Sequence, residues 1–292
     1  MLNSDFFWPL LLLAVLATFG IALLTLRWIG GRRWRVRQTL LLQQLEAAGV
    51  PGLVTHYDER ELHGLPAPVQ RYFRKVLKAG QPMVASVAIE QSGTFNLNLD
   101  VPRWKPFVAT QRCRTQRPGF VWNAVISMLP GVVVRVVDAY IAGSGMLQPS
   151  LFGLFPMGGA AVPKDLAQGE FVRYFAEALW YPTALLPSQG VQWTAIDALH
   201  ARATLHDGAL MVTCTMTFNA DHVVDKLRVE RRTAVLEERT TTMPWEARFW
   251  AYQYRNGMFV PLKGEVAWIE QGQRKAYWRG TIHKIAFGFA QP

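Results

Sequence analysis

The chain has 292 residues, half of them hydrophobic, with 11 Trp, 16 Phe and 8 Tyr, which excludes a disordered polymer and describes a core-rich folded protein. Its formal net charge is +10, of which the first 37 residues supply +4. The remaining basic balance suits either ordinary solubility or attraction to anionic lipid head groups. Nucleic acid is not expected as a partner, because the folded part has neither a Lys/Arg run nor a nucleic-acid motif.

Phe6 to Leu26 is a run of 21 residues without a charge, long enough at 1.5 Å per residue to cross a bilayer as a helix, with Trp8 and Trp28 near its ends. A cleaved signal peptide fits poorly, since no basic stretch precedes the run and no small-x-small site follows it. Five Arg lie between Arg27 and Arg37, whereas only Asp5 precedes the run. Charge asymmetry then predicts a single-pass anchor with the soluble domain in the cytoplasm, the periplasm being the alternative. Residues 1–37 are read as anchor with basic flank and 38–82 as a helical linker, including the cationic stretch Pro68 to Ala79, suited to capping a sheet or lying on a membrane.

Residues 83–292 read as a β-rich domain with an inserted helix over 163–180. Strand-like runs alternate with Pro-Gly, Asn-Gly and Gln-Gly turns, the pattern of an antiparallel meander. Ser92-Gly93 suggests a bulge or turn, and Met243-Pro244-Trp245 suggests a break. Gly143 to Pro163, nearly uncharged and rich in Gly, Met and Phe, reads as a long loop tucked over a cavity or dipped into lipid. The fold class expected is α+β: a large curved antiparallel sheet, half-barrel-like, with a helix packed on or in its concave face and one transmembrane helix before it.

The inserted helix carries the most site-like residues. Glu170, Arg173, Tyr174 and Glu177 recur at i, i+3, i+4, i+7 and share a face. One reading turns that face into a cavity, with Arg173 binding an anionic head group; the other is a solvent-facing row of ion pairs. Aromatic neighbours Trp180, Tyr181 and Trp193 favour the first, and Arg173→Ala is then expected to abolish ligand retention with the fold intact. Trp122, Arg135 and Asp138 are second candidates from neighbouring strands, for which sheet packing is the competing reading. The expected ligand-binding set is Glu170, Arg173, Tyr174, Glu177, Trp180, Trp193, Trp122 and Arg135.

No P-loop, dinucleotide fingerprint, GxSxG, HExxH or paired CxxC is present, and the six His lack ligand spacing. No cofactor, metal or assigned catalytic residue is expected. Cys113 and Cys214 read as buried small hydrophobes, and they would be bridged only in an exported domain. Three functions remain open: a membrane-anchored protein binding a lipid or other amphiphilic ligand; a membrane-associated hydrolase or transferase using Glu170 or Glu177 with Arg173; and a structural envelope-assembly partner without a ligand. Protein partners are not specified by any motif.

Leu65-Pro66-x-Pro68-Val69-x-Arg71-Tyr72, Trp104-x-Pro106-Phe107, Gly119-Phe120-Val121-Trp122, Asp138-Ala139-Tyr140, Glu170 to Asp197, Gly264 to Trp268 and Tyr277 to Gly280 carry a resemblance. The run from Leu65 to the C-terminus resembles an uncharacterised bacterial family of domain-of-unknown-function proteins, which implies no catalytic residues. Architecturally the chain is similar to the half-barrels of bacterial lipoprotein carriers, in which an antiparallel sheet wraps a helix-plugged apolar cavity. Those carriers work in the periplasm, against the topology that the charge asymmetry predicts.

Overall fold

The computed structural model describes residues 4–50, 52, 54–158, 163–236 and 239–291. Among the described residues, thirteen strands form one sheet in which every neighbouring pair is antiparallel. The chain enters in the middle of the sheet. β1 (Val84–Asn96), β2 (Trp104–Arg114), β3 (Gly119–Leu129), β4 (Val132–Ile141), β5 (Ser144–Leu151) and β6 (Phe155–Pro156) step outward to one edge. α3, as the third α-helix (Pro163–Glu177), then carries the chain across the concave face to the opposite edge. From there β7 (Gln192–Ala195), β8 (His200–Asp207), β9 (Leu210–Phe218), β10 (Val224–Leu236), β11 (Arg239–Arg255), β12 (Met258–Glu270) and β13 (Gln273–Phe289) step back until β13 pairs with β1. The architecture is thus the α+β half-barrel with a helix in its concave face.

Strand parity places the core. On β2, Phe107, Ala109, Gln111 and Cys113 point inward, and on β3 so do Phe120, Trp122, Ala124 and Ile126. They pack against Phe171, Val172 and Phe175 of α3 and Leu179 of the turn that follows it in one continuous apolar cluster. Each of the large apolar side chains among them, such as Phe107, Phe120, Ile126 or Phe171, contributes about 1.5–3 kcal/mol when taken out of water. After Glu177 the chain tightens into 3-10 turns at Ala178–Trp180, Pro182–Leu185 and Pro187–Gln189, because Pro182 has no N–H to extend the α-helical ladder. α2 (Ala67–Val76) buries Val69, Tyr72, Phe73 and Val76 in the same cluster.

The first helix, α1 (Ser4–Ala47), is unbroken and is long and apolar enough to cross a membrane. Its C-terminal half lies along the convex face. Trp34, Leu41 and Leu45 pack on Val121, Val137 and Ala139, the outward residues of β3 and β4. Trp34 Nε1 donates to Asn123 Oδ1 at 2.5 Å, and Arg114 pairs with Glu46 at the far end.

Three local expectations differ from what is observed. The stretch read as a long loop from Gly143 folds largely as β5 and β6, while residues 159–162 lie outside the described residues. The hairpin was hidden because Ala142 (φ 52°) occupies a left-handed turn position beside Gly143 (φ 82°), where the usual Asn or Gly signal is missing. Ser92-Gly93 does not interrupt β1, which is continuous. Met243-Pro244-Trp245 does not break the chain either: Pro244 sits inside β11. The pairing shifts there, with Val229 opposite Trp245 and Arg232 opposite Met243, so a bulge on β10 faces the residue that has no N–H to offer.

Candidate functional site

Arg173 of α3 projects onto the inward face of β2, β3 and β4. Its Nη1 pairs with Asp138 Oδ2 on β4, and its Nε donates to Glu177 Oε1 at 2.7 Å. Its Nη2 donates to Gln111 Oε1 on β2 at 3.3 Å. Gln111 Nε2 in turn donates to Glu177 Oε2 at 2.6 Å, so both oxygens of Glu177 are taken. The guanidinium stacks over Phe120 (4.7 Å) and Trp122 (5.0 Å), and Trp122 is the register partner of Asp138.

Glu170, one turn earlier on α3, is buried beside Asp138. Burial and the Asp138 carboxylate push its pKa well above the ordinary carboxylate range, against the opposing pull of Arg232 and Arg173. Glu170 Oε2 and Asp138 Oδ1 are both buried without a hydrogen-bond donor, and a proton held on Glu170 gives each of them a partner in the other. Burial also raises the pKa of Glu177, offset by Arg173 and Gln111. Three carboxyls, two arginines and the amides of Gln91 and Gln111 thus stand inside a half-barrel lined mostly by aromatic and aliphatic groups.

The second arginine is Arg232, on the bulged stretch of β10. Its Nη2 donates to the carbonyl of Gly169 at 3.0 Å and its Nη1 to Tyr277 Oη at 3.2 Å. Trp245 (4.6 Å) and Trp268 (5.4 Å) flank it. Both arginines therefore hold α3 to the sheet. Beside them runs an aromatic row, Tyr140, Phe171, Tyr174 and Tyr181, with successive ring centroids 5.2, 6.5 and 6.0 Å apart.

Of the residues expected from sequence, Glu170, Arg173, Glu177 and Trp122 come together, and Tyr174 lies in the adjoining row. Trp180 is buried in the 3-10 turn after α3, which packs against β12. Trp193 is half-buried on β7, donates to the Leu185 carbonyl at 3.1 Å and meets Phe73 edge-on. Arg135 stands apart: its side chain points outward from β4, against Gly31 of α1 and Gly153. Gln111 and Arg232 escaped the sequence reading. Inward parity on β2 flags Gln111, whereas only the bulge turns Arg232 inward.

Cys113 and Cys214 are free and buried. Cys113 Sγ lies 3.1 Å from Gln111 Nε2, and burial pushes its thiol up to about 12. Among the described residues, no group of His, Cys, Asp and Glu is placed to hold a metal ion.

No curated protein matches the sequence. Among solved structures, an outer membrane lipoprotein-sorting protein domain from Vibrio parahaemolyticus is similar at TM-score 0.37 and 7% identity, over 77% of this chain and 92% of that one. A LolA superfamily protein from Nitrosomonas europaea follows at TM-score 0.35 and 10% identity, over 74% and 91%. A β-barrel-like protein with the domain of unknown function DUF1849 from Brucella abortus is similar at TM-score 0.21 and 9% identity, over 70% and 98%. Likenesses this distant carry no functional argument. The sequence comparison is more direct: residues 63–287, from just before α2 to near the end of β13, match one family throughout, and the chain belongs to the family of unknown function DUF6920.

Proposed function

We propose that this is a membrane-anchored binding protein for a lipid or other amphiphilic molecule, in which the concave face is the binding surface and α3 is its resident occupant. The observation that carries the reading is the Arg173–Asp138–Glu177–Gln111 network on the inward face of that helix. A buried ion-pair network holds an element less tightly than well-packed apolar residues of the same volume, often by about 1–4 kcal/mol. A helix meant only to fill the half-barrel has no use for it. A helix that yields to an amphiphile does, because its polar groups are rehydrated on release and the freed Arg173 can meet an anionic head group. The apolar α1 supports a single-pass anchor, and the Arg27–Arg37 cluster supports a cytoplasmic domain. Glu177, with both oxygens engaged, is better suited to positioning Arg173 than to acting as a base.

Cys113 reports the state of α3, since it sits beside Gln111 and Tyr181 under the end of that helix. In the full chain carrying Cys214→Ser, maleimide should label Cys113 slowly. Saturating anionic amphiphile should accelerate labelling at least tenfold. Labelling that stays slow at saturation would count against a yielding helix.

A further inference from the structure

We propose that the crook between α1, β4 and the β5–β6 turn binds the headgroup of an anionic membrane lipid, with Arg27, Arg35 and Arg135 as its cationic partners. The inference rests on the reading that α1 crosses a membrane.

The geometry begins with where α1 leaves the domain. Leu45 packs beside Gly119 and Trp34 reaches Asn123, whereas Leu23 meets Gly131 at the β3–β4 turn and Arg27 Nη1 donates to the Gly131 carbonyl at 2.8 Å. The helix therefore runs along the convex face towards this turn, and its apolar N-terminal part projects beyond it. Leu23 is three residues inside the uncharged run, about 4.5 Å at helical rise, so the turn stands at the level of the bilayer interface. The rim agrees: Leu97 and Val101 between β1 and β2, Leu129 at the β3–β4 turn, and Phe155 and Met157 at β6 are all exposed. These turns share one end of the sheet, since Asn96 pairs with Trp104, Leu129 with Val132 and Val134 with Leu151.

The site lies just behind that rim. Gly30 lets α1 approach so closely that a Cβ would stand 2.0 Å from the Phe152 carbonyl oxygen, and at Gly31 it would stand 3.2 Å from the Arg135 guanidinium. Arg135 is half-buried there, its Nε has no acceptor, and among the described residues no carboxylate pairs with it, Arg27 or Arg35. Burial, then the charges of Arg27 and Arg35, lower its pKa. Such a cluster is costly unless an anion joins it. A lipid phosphate at this depth supplies one, with its acyl chains against the apolar rim.

The test uses the full chain in mixed micelles, titrated with phosphatidylglycerol or phosphatidylcholine and read by native mass spectrometry. Phosphatidylglycerol should bind preferentially. Arg135→Ala and Arg35→Gln should each weaken it about fivefold, the effect of one interfacial cation. Arg35 is exposed, so its variant keeps the proposal testable if Arg135→Ala does not fold. Arg202→Ala, exposed on β8, should change nothing. Equal affinity for the two lipids, unchanged affinity in the folded variants, or full displacement by millimolar inorganic phosphate would overturn the site. Alkaline carbonate separates the premises: a chain released from native membranes refutes the anchor, whereas a chain that stays with the membrane yet shows no phosphatidylglycerol preference refutes the headgroup site alone.

Discussion

Arg173 on α3 pairs with Asp138 on β4 across the interior of the half-barrel, and the tryptophan that flanks the guanidinium is the strand partner of that same aspartate. One side chain thus joins the helix to two strands. Burial changes what its removal does: Arg173→Ala strands the carboxylates of Asp138 and Glu177 and should cost about 3–5 kcal/mol, so it perturbs the fold as well as any ligand. Combining Arg173→Met with Asp138→Asn and Glu177→Gln should recover most of that loss. Thermal unfolding followed by tryptophan fluorescence checks both; a triple variant no more stable than Arg173→Ala would mean the ions are not the cause.

The raised pKa of Glu170 sets a pH dependence. In the unfolded chain this carboxyl titrates near its ordinary value of 4.5, and in the folded chain well above it. Between the two the folded state holds the extra proton, so this group's stabilisation is complete below the lower value and is lost as pH rises through the upper one. The slope is at most about 1.4 kcal/mol per pH unit. Glu170→Gln keeps a neutral donor beside Asp138, and its melting temperature should fall less than that of the wild type from pH 5 to 8. Parallel curves would place the proton elsewhere.

Gly145 of β5 faces the first turns of α3 so closely that a Cβ would lie 2.5 Å from the Ala167 nitrogen. Gly145→Val should push the helix off the sheet, lower stability by about 1–3 kcal/mol and increase binding of a hydrophobic dye. Lower stability without added dye binding would show that α3 shifts without opening the concave face.

Much of this was legible in the chain. Pro-Gly, Asn-Gly and Gln-Gly punctuation gives the meander, and the spacing of Glu170, Arg173, Tyr174 and Glu177 gives a helix with a polar face. Periodicity could not say where that face points, because a helix crossing inside a curved sheet is covered nearly all round: Phe171 and Phe175 are as buried as Tyr174. Arg232 was illegible for another reason, since alternation along β10 assigns it outward until the bulge opposite Pro244 shifts the register. Arg135 shows the reverse limit. A charged residue among valines promised an inward site, yet β4 is covered on both faces and Arg135 belongs to the side under α1.

The most direct measurement is where a lipid touches the chain. Membranes containing the full chain and a lipid with a diazirine in its acyl chain would be irradiated, and the adducts mapped by peptide mass spectrometry. The account predicts adducts on α3 and the following turns, at Phe171, Tyr174, Phe175 or Leu179, and on inward strand residues such as Phe120 and Trp122, in addition to α1. Adducts confined to α1 and the exposed rim would contradict it, leaving a membrane-bound domain whose concave face holds only its own helix.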